Sequence, residues 1–307
     1  MTTARPYSAF VATPAFRRLY PFRSRYLRVG KFTCHYLDEG AGEPIVMLHG
    51  NPTWSFYYRA LVKGLSGRYR VVVPDHIGCG FSDKPEDGRY DYRLASRVSD
   101  LEALLDQLGL NGPLTMVLHD WGGMIGMAYA VAHPERIRRL VLLNTAAFLP
   151  PNGKRLPLRL RLIRDMPRLA PPLVLGLNLF ARAALLMASR RGLTTDVRAG
   201  LIAPYNTPAN RVATLKFVQD IPLGPRDPSY ALVASVSARL PLLAAVPMLL
   251  LWGRHDFVFD GDYLAEWRRR FPAARVEIFE RAGHYLLEDE PERVLAHIRA
   301  FLTATPS

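Results

Sequence analysis

Asp120 lies in the stretch Leu114-Thr-Met-Val-Leu-His-Asp-Trp-Gly-Gly-Met-Ile-Gly-Met-Ala-Tyr-Ala130, where an apolar run of strand type meets a segment of helical composition. Residues 114–118 read as the strand, residues 124–133 as the helix, and Gly122 and Gly123 tighten the turn between them. This is the layout of a nucleophile elbow with a carboxylate in the place usually held by serine. A carboxylate there attacks carbon and forms an alkyl or acyl ester on the protein. The simpler role for an Asp between strand and helix is that of an N-cap, so the residues elsewhere must decide. Two further groups bear on it. Asp256 ends the run Gly253-Arg-His-Asp256 and His284 ends Arg281-Ala-Gly-His284, each following a strand-like segment. In chain order they supply nucleophile, acid and base: His284 takes a proton from water while Asp256 holds its ring and stabilises the imidazolium. Taken alone, His284 would read as a structural histidine; its place after the last strand and after Gly283 favours catalysis.

The elements that must hold these residues alternate between strand and helix. Strands are expected at residues 26–29 and 32–37, then at 44–49, where an uninterrupted apolar run suits burial on both faces. Helical character over 55–65 follows the turn His49-Gly-Asn-Pro-Thr-Trp54, and a strand at 69–74 leads into the glycine-punctuated loop 75–85. Residues 94–108 place Leu94, Val98, Leu101, Leu104, Leu105 and Leu108 at amphipathic-helix spacing. After the elbow come a strand at 137–143, a strand at 246–252, a helix at 261–271, a last strand at 275–279 and a closing helix at 291–302. The expected architecture is α/β, a doubly wound, mostly parallel sheet with ligands at the C-terminal ends of its strands. Residues 149–240 carry no strand-like run, only helical apolar patches such as 173–187 and 211–218. They read as a helical cap inserted into a core formed by 1–148 and 241–307.

The chain has 307 residues, 49% of them hydrophobic, enough for a large core. Cys34 and Cys79 are its only cysteines, too few for a metal cluster or disulfide framework, so no metal is implied and a reducing compartment is expected. No signal-peptide core and no stretch of about 18 uncharged apolar residues occurs, which favours the cytoplasm. The net charge of +13 is concentrated in residues 1–30, with 6 Lys/Arg (Arg5, Arg17 and Arg18 among them) and no acids, and in residues 151–230, with 13 Lys/Arg against 4 Asp/Glu. Such a tail and cap suit an anionic membrane surface or an acidic partner protein as well as plain solubility; nucleic acid is not expected to be the partner.

Over nearly its whole length the chain resembles the haloalkane dehalogenase group of α/β hydrolases. The motifs that carry this are His49-Gly-Asn-Pro-Thr-Trp-Ser55, Asp75-His-Ile-Gly-Cys-Gly-Phe-Ser-Asp-Lys-Pro85, His119-Asp-Trp-Gly-Gly123 and Gly283-His-Tyr-Leu-Leu-Glu-Asp289. The resemblance implies that Asn51 and Trp121 bind the leaving group: their side-chain N–H donors would cradle a halide or a carboxylate, and their backbone N–H groups an oxyanion. Some members carry the acid after the sixth strand; here that position reads Asn144-Thr-Ala-Ala-Phe148, without a carboxylate, which leaves Asp256. A narrower resemblance rests on Asn144-Thr-Ala-Ala-Phe148, on Ala203-Pro-Tyr205 with Asn210-Arg211, and on Gln219-Asp-Ile-Pro-Leu223. It is to the bacterial β-lactone decarboxylases of long-chain olefin biosynthesis (OleB type), and implies cofactor-independent conversion of a cis-3,4-dialkyl-oxetan-2-one to a cis-alkene and carbon dioxide. The substrate would carry long alkyl chains, and the partners would be thiolase-like, ligase-like and reductase proteins of the same biosynthesis. Whether attack falls on the acyl or the alkyl carbon stays open. The alternative within the group is hydrolytic dehalogenation through an alkyl ester on Asp120. Epoxide hydrolysis wants paired cap tyrosines; Tyr205 is in the cap, but Asn51 suits anion binding better. A non-catalytic binding or scaffolding protein on this fold would more naturally have lost one of Asp120, Asp256 and His284.

Overall fold

The computed structural model describes residues 7–305, so Arg5 of the basic N-terminus lies outside the described residues. In chain order the elements are α1 (Pro14–Leu19), β1 (Arg25–Val29), β2 (Phe32–Glu39), β3 (Pro44–Leu48), α2 (Arg59–Leu65), β4 (Arg70–Pro74) and α3 (Leu94–Gln107). Then follow β5 (Leu114–Asp120), α4 (Trp121–Ala132) and β6 (Ile137–Thr145). A helical stretch comes next: α5 (Leu158–Asp165), α6 (Leu179–Met187), α7 (Thr195–Ile202), α8 (Val212–Gln219) and α9 (Tyr230–Arg239). The chain closes with β7 (Met248–Gly253), α10 (Gly261–Arg270), β8 (Arg275–Phe279), α11 (Leu286–Asp289) and α12 (Pro291–Ala304).

The strands form an 8-stranded sheet in the order β1-β2-β4-β3-β5-β6-β7-β8. The β1–β2 and β2–β4 pairings are antiparallel, and every pairing from β4 through β8 is parallel. The central strands are mostly apolar in their middles because both faces are covered. On one face Val46, Val72, Met116, Leu118, Leu142 and Leu250 pack with α3, α4 and α10. Their alternate neighbours Ile45, Met47, Val71, Val117, Val141 and Leu249 point the other way, against α2 and α12. The order of the strands reverses between β3 and β5, so the loop after β3 and the turn after β5 lie side by side at the switch point, where such sheets hold ligands.

Some boundaries differ from the sequence reading. The elbow helix starts at Trp121, directly after Asp120, rather than at Met124. Residues 173–187 are not one helical patch: Asn178, at φ +54°, breaks them into a π-helical turn, Pro172–Gly176, and α6. Asn is among the residues that tolerate the left-handed region, which allows the break at Asn178; Pro171 and Pro172, without backbone N–H groups, sit where the first segment starts. No helix among the described residues is long and apolar enough to cross a membrane.

Candidate active site

The C-terminal ends of β3, β5, β7 and β8 converge on Asp120. Its backbone sits at φ +52°, ψ −126°, a region that costs a non-glycine residue about 1–3 kcal/mol. The surroundings hold it there: Thr145 Oγ1 donates to the Asp120 carbonyl at 2.5 Å, and the neighbouring backbone is too close to admit larger residues. A Cβ on Gly122 would lie 1.9 Å from the Leu48 carbonyl oxygen, and one on Gly50 would lie 2.0 Å from Asp120 Oδ1. Asp120 makes no side-chain capping bond to α4, so the N-cap role is not the one its carboxylate fills.

The carboxylate points at two groups instead. Oδ1 accepts the Asn51 backbone N–H at 2.7 Å, and Oδ2 faces His284 Nε2 at 3.5 Å. The other ring nitrogen, Nδ1, lies 2.7 Å from Asp256 Oδ2, while Asp256 Oδ1 accepts the backbone N–H groups of Val258 and Phe259 at 2.6 and 3.0 Å. Asp120, His284 and Asp256 thus lie in one buried line, the imidazole hydrogen-bonded to Asp256 and within ion-pair distance of Asp120. Burial raises the Asp120 carboxyl above the ordinary carboxylate range, although His284 and the N–H groups of Trp121 and Asn51 pull it back. Burial pulls the His284 imidazole down, but the charge and hydrogen bond of Asp256, with Asp120 behind them, outweigh it and raise the ring above its usual value.

Asn51 and Trp121 both line the cavity above Asp120. The Asn51 amide is engaged differently from the sequence expectation: Nδ2 donates to the Thr214 carbonyl of α8 at 3.0 Å, which leaves one of its two hydrogens for a ligand. Its backbone N–H is on Asp120 rather than open to an oxyanion. Trp121 packs against Phe217 of α8 with ring centroids 5.3 Å apart. Tyr205 does not face the cavity; its hydroxyl donates to the Thr53 carbonyl at 3.2 Å.

The cavity has a volume of about 310 Å³. Apart from Asn51, Asp120, His284 and Arg159 its walls are almost wholly aliphatic and aromatic, among them Phe148, Val174, Phe180, Met187 and Val218. Most of the lining residues lie between β6 and β7.

Several supporting residues were not singled out in the sequence. His119, fully buried beside the elbow, has its imidazole held well below the usual range by burial, with the neighbouring His284 adding to it, and the neutral ring donates from Nε2 to the His284 carbonyl at 2.9 Å. Asn144 accepts from Gly253 N–H at 2.8 Å and donates to the Gly253 carbonyl, stapling the end of β6 to the loop that carries Asp256. Asp289 accepts from Ser189 Oγ and from the backbone N–H groups of Arg190, Arg191 and Gly283, all within 3.0 Å, and ties the His284 loop to the exit of α6. Asp220 joins Arg93, the Leu94 N–H and Ser229 Oγ, anchoring α8 to α3. The signal for each was a buried-motif Asn, Asp or His adjoining a candidate residue, without any way to name its partner.

Residues 43–291 match the α/β-hydrolase fold family. The chain is 51% identical, over 94% of its length and 90% of the other's, to a cis-3-alkyl-4-alkyloxetan-2-one decarboxylase of Shewanella oneidensis. The chain belongs to this family of α/β hydrolases. The corresponding decarboxylase of Xanthomonas campestris is 46% identical over 88% of this chain and 92% of its own. Haloalkane dehalogenases stand further off: the crystal structure of an ancestral one superposes with a TM-score of 0.84 over 92% of this chain and 99% of its own, at 26% identity. The sheet order and the helical stretch before β7 are therefore those of an α/β hydrolase of the dehalogenase type.

Proposed function

We propose that this chain decarboxylates cis-3,4-dialkyl oxetan-2-ones to cis-alkenes, with Asp120 as nucleophile, His284 and Asp256 as the supporting pair, and Asn51 and Trp121 as binders of the released carboxylate. The observation that carries the reading is a lone reactive carboxylate at the floor of an apolar cavity, 3.5 Å from an imidazole that Asp256 keeps inclined to protonation, in a chain half identical to such decarboxylases.

Asp120 Oδ2 attacks C4, the ring carbon bearing the lactone oxygen, and the C4–O1 bond breaks to release the carboxylate of C2. The free N–H of Asn51 and the indole N–H of Trp121 receive that charge. In-line attack leaves the Asp120 oxygen opposite the departed one and therefore antiperiplanar to the carboxylate carbon. The C2–C3 bonding pair then forms C3=C4, carbon dioxide departs, and the C4–O bond to Asp120 breaks. The two alkyl groups keep their side throughout, so a cis lactone yields a cis alkene. Asp120 leaves as a carboxylate, and protonated His284 is placed to stabilise it. No water is consumed and no cofactor takes part. This is the respect in which the reaction differs from hydrolytic dehalogenation, which needs neutral His284 to activate water.

The purified chain offered a cis-3,4-dialkyl lactone or a bromoalkane distinguishes the two. Expected are alkene and carbon dioxide in equal amounts from the lactone, far faster than bromide from the haloalkane, with both lost in Asp120→Asn. Bromide release that outpaces alkene formation would replace this reading by dehalogenation. The same proposal places the chain in the cytoplasm beside the other enzymes of olefin biosynthesis, its basic segments meeting acidic partners or an anionic membrane, with no role for nucleic acid.

A further inference from the structure

The cavity opens beside a surface that a water-soluble enzyme has little reason to expose. Leu162 of α5 and Leu179 of α6 line the cavity and are nevertheless 45% and 49% exposed, so they form its mouth. Around them Leu158, Leu177 and Leu186 are 71%, 62% and 69% exposed, with Met166 and Leu169 continuing the patch past the end of α5. Leu158 and Leu162 share one face of α5 at a spacing of four; Leu179, Arg182 and Leu186 share one face of α6. Arg159 joins the two helices across the mouth, its guanidinium against Met187 Sδ and over the Phe257 ring at 4.7 Å.

The same surface is strongly basic. Residues 151–191 carry nine Lys/Arg and one acidic residue, Asp165. Lys154, Arg161, Arg164 and Arg191 are neutralised by carboxylates, but Arg155, Arg168 and Arg182 are exposed and have no carboxylate partner among the described residues. Aliphatic side chains interleaved with free arginines are the composition of a surface that lies in a lipid interface, leucines at the acyl boundary and guanidinium groups on phosphates. A protein partner is the poorer fit. It would seal the mouth against substrate, and the exposed patch lacks the Trp and Tyr anchors that dominate protein hot spots.

We propose that the α5–α6 face docks on an anionic lipid bilayer and that the cavity opens directly into it. For what passes through the mouth, a two-tailed lactone entering and an alkene leaving, the inference rests on the function proposed above; the docking itself does not. Apolar substrate then never crosses water, and the +13 charge of the chain contributes through the segment nearest the membrane.

The test is co-sedimentation of the full chain with sucrose-loaded vesicles of phosphatidylglycerol and phosphatidylcholine in equal parts, and of phosphatidylcholine alone. Binding is expected to the anionic vesicles and to be weak with the neutral ones. Arg155→Gln/Arg168→Gln/Arg182→Gln is expected to bind on the order of a hundredfold more weakly, at about fivefold per arginine. Leu158→Ser/Leu186→Ser removes apolar contact without touching the cavity lining, and is expected to lose at least about tenfold. Both variants should keep the circular dichroism of the unmodified chain and its turnover of a short, water-soluble lactone, yet slow with a long-chain lactone embedded in the anionic vesicles. No sedimentation of the unmodified chain, or equal sedimentation of all three proteins, overturns the proposal. So does a dimer that the Leu158→Ser/Leu186→Ser change converts to monomer, which would assign the patch to a second copy. If the unmodified chain sediments but turns over no lactone, the docking stands and the decarboxylase reading falls.

Discussion

In the proposed mechanism the carboxylate of Asp120 must be ionised to attack, and the ring of His284 must be protonated to ease its departure. These two demands set a pH profile. Burial raises Asp120, so the acid limb of activity lies above the ordinary carboxylate range, activity growing as the pH rises through it. His284 is raised by Asp256 and Asp120 against the pull of burial, so activity falls only as the pH climbs through a value above the usual 6.5. Because the groups face each other at 3.5 Å, both limbs belong to the pair. The expected outcome is a bell for alkene formation. A rate that instead rises monotonically past neutrality would mean that neutral His284 is the working form, as in water activation. Leaving-group binding gives a second test: Asn51→Ala and Trp121→Phe should each lower kcat by about 10²–10³, the usual loss for one preorganised donor. Apparent affinity should change less, because the charge is larger in the transition state. A loss that appears in KM alone would place these residues in substrate packing. Among residues, the sequence marks Asp120, Asp256 and His284 by position alone, each following a strand that apolar content makes recognisable. It does not mark the tie of Asn51 to Thr214, since that hydrogen bond spans 163 residues and depends on where α8 comes to rest.

The elbow and the loop after β3 are built by close approach, and two glycines carry it in different ways. A Cβ on Gly122 meets main chain, the Leu48 carbonyl at 1.9 Å, which cannot rotate aside. The atoms nearest a Cβ on Gly50 are Oδ1, Cβ and Cγ of Asp120, at 2.0–2.5 Å, and of these the Cβ is fixed to the main chain and cannot rotate aside either. Gly122→Ala should therefore cost stability, about 1–3 kcal/mol for forced overpacking, read as a fall in Tm. Gly50→Ala should cost stability on the same scale and, in addition, displace the proposed nucleophile, so that turnover drops by orders of magnitude even in the folded fraction. A Gly50→Ala protein with unchanged Tm and full turnover would show that the loop after β3 moves aside without disturbing Asp120. Elements of the sheet are legible in the sequence because burial on both faces writes them as unbroken apolar runs; β5 is buried at all seven positions. The helical stretch is less legible. Residues 173–187 have uniform apolar composition, and the break at Asn178 is made by one backbone angle that composition does not register. Start points shift for a similar reason: α4 begins at Trp121 because Thr145 and the close-packed glycines hold Asp120 at positive φ, an arrangement made by tertiary contact.

At the scale of the whole molecule, the sheet and the helices over its C-terminal edge are held by different amounts of core. The strands belong to two large clusters of buried residues, one on each face. In contrast, α5 buries only Leu160, α6 only Ala181 and Leu185, and the satellite cluster beside them consists of Ala170, Val174 and Leu215. Polar ties at Asp289 and Asp220 hold the residues just after α6 and the end of α8, whereas α5 and most of α6 lie ahead of both in the chain and line the cavity. Segments with few buried apolar contacts open locally at a small fraction of the global unfolding free energy. Amides of β3, β5, β6 and β7 should therefore exchange with solvent deuterium only through global unfolding, and those of α5 and α6 at least about a hundredfold faster through local opening. A non-reactive two-tailed analogue filling the cavity should slow exchange in α5 and α6 and leave the strands unchanged, because the ligand supplies the apolar contacts that those helices lack. Hydrogen exchange read by mass spectrometry decides it. Peptides of α5 and α6 that exchange as slowly as β5 without ligand would mean that the helices form one cooperative unit with the sheet, and that substrate enters through an opening already in place.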